Sequence, residues 1–330
     1  MEQKKLKAEL ARGELRKIYL LFGDERFLVK FYSAAIEKVA KGEKTVFDGA
    51  VPVAEIIIAA ETLPFFAGDL SISEKRLIYV RDSKLFASGR KAESEEIAEY
   101  LGKTPDDTVI VFVESEVDRR TRLFKKVTQL GGAIDCAPLS SQNLAKWITR
   151  TFKERGKTIS PQTINILQRT CGSDMSNLAN EMDKLFHYVY PSIEITPADI
   201  AEICTPTLES RVFDLTKAVG SGRVSDALKI YRDMLILKES PIMILTMIIR
   251  QLRIMLLCKS YAEKNTPRHK IAKDLNIHEF VIPEALSHAR RFSAGELISA
   301  LENCLETDVR VKSGLIAPEI GVELLIIKGM

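Results

Sequence analysis

The sequence lacks the local signatures by which most enzymes declare themselves. No G-x-x-x-x-G-K-[ST], G-x-S-x-G or H-E-x-x-H occurs in its 330 residues. That excludes a standard phosphate cradle, a nucleophile elbow and a zinc-protease helix together. Cysteine is sparse: Cys136, Cys171, Cys204, Cys258 and Cys304 are odd in number and form no C-x-x-C pair. This fits reduced core thiols better than a disulfide framework. His187, His269, His278 and His288 lie in no cluster with metal-ligand spacing, so neither a metal nor a cofactor is expected. Charge of one sign is also missing. The net charge is only +3 and the pI about 8.4, too mild to establish nucleic-acid binding and no argument against it. The N-terminus, MEQKKLKAELARGELRK, has no apolar core of signal-peptide type. The longest apolar run, Ile242 to Cys258, is broken by Arg250, Gln251 and Arg253. It reads as a buried bundle helix rather than a membrane span, and the expected compartment is the cytoplasm.

The most informative stretch present is Ile18 to Lys30, IYLLFGDERFLVK. Ile18 to Phe22 read as a buried strand and Gly23 as a turn. Asp24 reads as a helix N-cap, and Phe27, Leu28, Phe31, Ala35, Ile36 and Val39 follow at helical spacing. The layout is that of a nucleotide-binding strand, loop and helix, but the loop has one glycine and no lysine or hydroxyl for phosphate and magnesium. Asp24 and Glu25 occupy the anion site at the helix N-terminus and would repel a triphosphate. Gly23, Asp24 and Glu25 therefore read as a degenerate, non-functional nucleotide loop. An ordinary α/β unit would have the same pattern.

Strand-like runs at Lys17–Phe22, Lys44–Phe47, Arg76–Arg81, Thr108–Val113 and Ala133–Cys136 alternate with helical patterns at Glu25–Ala40, Val53–Leu63, Ser94–Leu101 and Asp118–Leu130. Such alternation predicts a parallel sheet covered by helices. After Pro138 the strand signal largely stops. Ser140–Arg155, Ser160–Thr170 and Ser173–Val189 each open on a serine and read as helices, and Thr196-Pro197 starts another. From about Leu208 the chain reads as helical to its end, with a helix–helix turn at Gly220-Ser221-Gly222. The expected fold class is α/β plus all-α, in three domains: 1–139, 140–208 and 209–330.

Few constellations could carry chemistry. Glu114 ends an apolar strand where an NTPase would hold magnesium, but one acid without a phosphate loop has no substrate to act on. Val53, Ile56, Ile57, Ala60 and Leu63 share one helix face, and Leu63-Pro64-Phe65-Phe66 follows. Pattern favours Phe65 and Phe66 as core aromatics at a helix end; the other reading is an exposed aromatic anchor for a partner. In DRRTRLFKK, 118–126, helical spacing places Arg119, Arg122 and Lys126 on one face with Leu123 at its edge. Such a face is usually solvated, and contact with phosphates would be unspecific. Arg250 and Arg253 read as the solvated edge of a buried helix.

Taken in order, YLLFGDERFLV at 19–29, TLPFF at 62–66, KRLIYVRDS at 75–83, VIVFVE and DRRTRLFKK at 109–126, GSDMSNLANEMDKL at 172–185 and VFDLTKAVGSGRVSDALKIYRDML at 212–235 resemble the delta subunit of the bacterial DNA polymerase III clamp loader. The resemblance implies an AAA+-like fold: a RecA-type α/β domain, a helical lid and a C-terminal helical collar that mediates oligomerisation. It implies no ATP hydrolysis. The position of a phosphate-sensing arginine is matched by Met175, and the four-cysteine zinc module of the sibling subunits is absent. It also implies that Phe65 and Phe66, with Leu63 and Pro64 alongside, insert into a pocket on the sliding clamp (beta). AGDLSIS at 67–73 is longer than that pattern requires. The implied partners are the clamp, the gamma/tau and delta-prime subunits through the collar, and primed DNA within the assembly, with no membrane. Two other readings stay open: an active ATPase, and a helical scaffold or DNA-binding subunit that never touches a clamp.

Overall fold

The computed structural model describes residues 2–62 and 75–329, with side chains from residue 5 onward. Leu63, Pro64, Phe65 and Phe66 lie outside the described residues. The chain forms two compact units, Met1–Pro138 and Leu139–Met330.

The first unit is α/β. Its elements are α1 (Glu2–Ala11), β1 (Ile18–Phe22), α2 (Arg26–Ala40), β2 (Lys41–Asp48), α3 (Val53–Glu61), β3 (Lys75–Arg81), α4 (Lys91–Tyr100), β4 (Thr108–Glu114), α5 (Arg122–Gln129) and β5 (Ala133–Asp135). The five strands are parallel in the order β2-β3-β4-β1-β5. A sheet covered on both faces needs strands that are apolar throughout, and every residue of β1 is buried. β1 and β4 pair from Ile18 opposite Ile110 to Phe22 opposite Glu114. One core gathers Leu20, Ile78, Val80, Ile110 and Phe112 from the sheet with Ile56, Ile97, Leu123 and Val127 from the helices. β2 is the edge strand, and mostly exposed Lys41, Glu43 and Lys44 discourage further pairing there.

All five expected strands are present; the helices differ from expectation in detail. The sequence pattern did not reveal α1, which Leu6, fully buried, anchors. α3 stops at Glu61, earlier than Pro64 suggested. Thr62 is already extended, and its hydroxyl donates to the Ile58 carbonyl at 2.6 Å. α5 starts at Arg122 rather than Asp118, because the Thr121 hydroxyl accepts from the Phe124 amide and caps the helix there.

The second unit is helical: α6 (Ser141–Glu154), α7 (Pro161–Cys171), α8 (Met175–Tyr188), α9 (Pro197–Ile203), α10 (Leu208–Val219), α11 (Val224–Ile236), α12 (Pro241–Glu263), α13 (Arg268–Leu275), α14 (Val281–Ala289), α15 (Ala294–Lys312) and α16 (Pro318–Lys328). Ser140 and Ser160 cap α6 and α7 as expected, but Asp174 rather than Ser173 caps α8. Thr196 and Asp199 form a reciprocal capping box at α9. A two-residue parallel ladder, β6 (Thr158–Ile159) with β7 (Glu194–Ile195), is too short to leave a sequence signal. α12 is long and apolar enough to cross a membrane by length and composition. Its Ile244, Leu245, Ile248, Leu252, Met255 and Cys258 instead form part of the helical core, and its Arg250 and Arg253 are exposed.

Candidate functional site

The loop after β1 is closed by the protein itself. Gly23 has φ +122°, and a Cβ there would lie 2.6 Å from the Cys136 carbonyl carbon and 2.7 Å from its oxygen. Only glycine permits both the dihedral and the approach. The Cys136 amide donates to the Phe22 carbonyl at 2.6 Å, and the Glu25 amide donates to the Cys136 carbonyl at 2.9 Å. Glu25 Oε1 accepts from the Phe27 amide at 3.1 Å. The N-cap of α2 is therefore Glu25, not Asp24. The Gly23 turn and the bond to Cys136 delay the helix by one residue, so the carboxylate at 25 meets its first turn. Amides that would face an anion here are engaged by a carbonyl and a carboxylate.

Glu114, at the end of β4, is 3% exposed. Its Oε1 accepts from the Ser83 amide at 3.0 Å and from the Ser83 hydroxyl, and Oε2 accepts from the Lys84 amide at 3.2 Å. Asp82 and Lys84 both have positive φ, so the carboxylate braces a turn that non-glycine residues adopt reluctantly. Burial raises the Glu114 pKa, and these hydrogen bonds oppose the rise. The side chain positions a turn at the C-terminal edge of the sheet.

Arg119, Arg120 and Arg122 are largely exposed, as a solvated basic run would be, but each has an acidic partner and Arg119 is not on the helix. Arg119 precedes α5, pairs with Asp135 at 2.6 Å and lies over the Phe22 ring. Arg120 pairs with Asp118 at 2.9 Å, which holds that carboxyl down at about 2. Arg122 lies 3.3 Å from Glu99. Leu123 is fully buried rather than at an edge. Arg250 pairs with Glu209 at 2.5 Å.

Thr62 and Lys75 flank the segment that carries Phe65 and Phe66. Thr62 follows α3, and Lys75 opens β3 at the N-terminal edge of the sheet, the edge opposite Gly23. Arg76 Nη2 donates to the Ala60 carbonyl at 3.2 Å and to Thr108 Oγ1 at 2.9 Å, and lies 3.1 Å from Asp107 Oδ2. One guanidinium thus joins the end of α3 to the start of β4. Val53, Ile56 and Ala60 of the expected stripe are buried, and Ile57 is half-buried. Ile58, on the opposite face of α3, is 63% exposed.

A RecA-type parallel sheet covered by helices, followed along the chain by a helical unit, defines an α/β-plus-all-α protein. The family profile described as "DNA polymerase III, delta subunit" matches residues 19–137, and "DNA polymerase III delta subunit, C-terminal domain" matches 209–329. Together these stretches cover well over half of the chain, and the chain belongs to the DNA polymerase III delta subunit family. It is 26% identical to the DNA polymerase III subunit delta of Bacillus subtilis over 97% of this chain and 94% of the relative. It is 20% identical to the probable DNA polymerase III subunit delta of Aquifex aeolicus over 79% and 76%. Among solved structures it is similar to the DNA clamp loader delta protein of Bacillus subtilis, with a TM-score of 0.72, 25% identity, and 100% and 99% of the two chains covered.

Proposed function

We propose that this chain is a non-catalytic clamp-loader subunit that binds the DNA polymerase III sliding clamp and opens it during DNA replication. The observation that carries this reading is family membership across both units, combined with a nucleotide loop stoppered by Cys136. The loop supports a chain that neither binds nor hydrolyses ATP, so nucleotide energy would enter through the neighbouring gamma/tau subunits. Leu63, Pro64, Phe65 and Phe66 would form the clamp contact. Thr62 and Lys75 flank their segment, and Arg76 ties the end of α3 to the start of β4 beside it, so an anchor there would transmit force to the sheet. Binding shifts a ring toward its open form only by its differential affinity for that form.

We divide the second unit functionally at 208/209, into a lid and a collar that joins the gamma/tau and delta-prime subunits. Exposed apolar residues on α15 and α16 support the collar assignment. Primed DNA would pass through the complete assembly, in the bacterial cytoplasm.

The test is calorimetric titration of the purified chain into its cognate sliding clamp without ATP, beside a folded Phe65→Ala/Phe66→Ala variant. Burying a phenylalanine contributes roughly 1.5–3 kcal/mol, so losing both should weaken binding by more than about tenfold. No binding by the intact chain would overturn the clamp reading. Equal binding by both would overturn the contact.

A further inference from the structure

Cys171, Glu181 and Cys204 are distant in sequence and converge in the second unit. Cys171 is the last residue of α7, Glu181 lies in α8 and Cys204 follows the end of α9. Two Sγ atoms and a carboxylate oxygen all lie within 4.8 Å of one another, and all three residues are buried. Linear spacing, the ground on which a metal was set aside above, misses a cluster assembled from three helices.

The surroundings suit a cation. Lys184 Nζ lies 2.6 Å from Glu181 Oε2, and the Thr205 amide donates to that same oxygen at 3.1 Å. The carboxylate has a second oxygen to offer. Two thiolates and a carboxylate carry three negative charges, which a divalent ion and the Lys184 ammonium together cancel. A buried cluster is far less costly when neutral. Thiolate sulfur with a carboxylate is a donor set that zinc accepts and that calcium and magnesium do not favour.

We propose that Cys171, Cys204 and Glu181 form a binding site for a thiophilic divalent ion, zinc foremost, with a small exogenous donor such as water completing the tetrahedron. On binding, the two thiols release their protons to solvent and the ion takes the two thiolates. An ion here would lock the ends of α7 and α9 to α8. The Thr207 amide donates to the Thr170 carbonyl at 2.9 Å beside it, where the chain passes into α10, so loading would stiffen the junction between lid and collar.

Cadmium, titrated into the reduced full-length chain, is the probe. One equivalent should bind with a thiolate-to-metal charge-transfer band, raise the unfolding midpoint and be displaced by zinc. The band should vanish in Cys171→Ser and in Cys204→Ser. Glu181→Gln keeps an acceptor for Thr205 and should weaken binding at least about tenfold; it decides the matter if the serine variants do not fold. Cys304→Ser, a buried thiol on another helix, should leave the band and the cadmium stoichiometry unchanged. A folded wild-type chain without the band would overturn the proposal. So would a band that survives all three variants, or a Cys171–Cys204 disulfide forming under mild peroxide in a chain that ignores cadmium.

Discussion

Gly23 and Cys136 are in backbone contact across the top of β1, with a prospective Cβ on Gly23 only 2.6 Å from the Cys136 carbonyl carbon. The contact joins the loop after β1 to the chain just past β5, where the Glu25 amide donates to the Cys136 carbonyl. Gly23→Ala should therefore destabilise the first unit, by about 1–3 kcal/mol from the positive φ and the overlap with rigid backbone. Urea denaturation checks this. Magnesium-ATP should leave the midpoint of either protein unmoved, because a ligand stabilises only what it binds.

Glu114 offers a pH test of its bracing role. Burial raises its pKa in the folded chain above that of the unfolded chain. The folded state then holds the proton more tightly, so the carboxyl's contribution falls as pH rises from the ordinary carboxylate range through the raised value. Glu114→Gln removes this dependence while keeping an oxygen for Ser83. Relative to wild type, the variant should gain stability as pH rises above the ordinary carboxylate range, read as the difference in urea midpoints. A difference independent of pH would mean that Glu114 titrates normally.

The parallel sheet was legible because β1 and β4 are continuous apolar runs, and a strand buried on both faces leaves no other pattern. The helix starts were less legible. Asp24 and Ser173 are good caps by residue type, yet Glu25 and Asp174 perform the task, because the entry angle is set by contacts from elsewhere: the Glu25 amide is taken by Cys136, far along the chain. The basic run at 118–126 is solvated as its pattern suggests, but its geometry was not legible, because the helix starts only at Arg122. Arg119 and Arg122 find Asp135 and Glu99, partners that only tertiary structure supplies. The converging Cys171, Glu181 and Cys204 were invisible, since no spacing rule covers donors from three helices. Phe65 and Phe66 were read by resemblance alone; their pattern by itself favoured burial.

His288 gives the second unit an acid limb of its own. Its ring stacks on Phe213 at a centroid distance of 4.1 Å. Burial, helped by the nearby Lys217, Arg291 and Arg169, lowers its pKa to about 4. The unfolded chain therefore binds the proton first, and stability is lost as pH falls from about 6.5 toward 4. The loss amounts to roughly 3 kcal/mol at full effect. His288→Phe should flatten this limb while keeping the stack, which urea midpoints between about pH 7 and pH 5 would report. An unchanged limb in the variant would assign the acid sensitivity to other groups.

The apolar faces of α15 and α16 should separate folding from assembly. Ile298, Leu305 and Val309 on α15, and Ile320, Leu324 and Ile327 on α16, are all exposed, with helical spacing that places each set on one face. The opposite faces supply Leu297, Ala300, Cys304, Val322, Leu325 and Ile326 to the core, so packing within the chain already has its own residues. Leu305→Asp and Ile327→Asp remove no core contact, and each should change stability by no more than about 0.5 kcal/mol. A charge introduced into a docking surface must be desolvated when a partner covers it, at a cost of several kcal/mol. The pair of substitutions should therefore abolish copurification with the other clamp-loader subunits while leaving thermal unfolding and clamp binding by the isolated chain intact. Loss of stability in step with loss of assembly would instead mark these residues as part of the fold, and full assembly by the double variant would move the collar contact to another face.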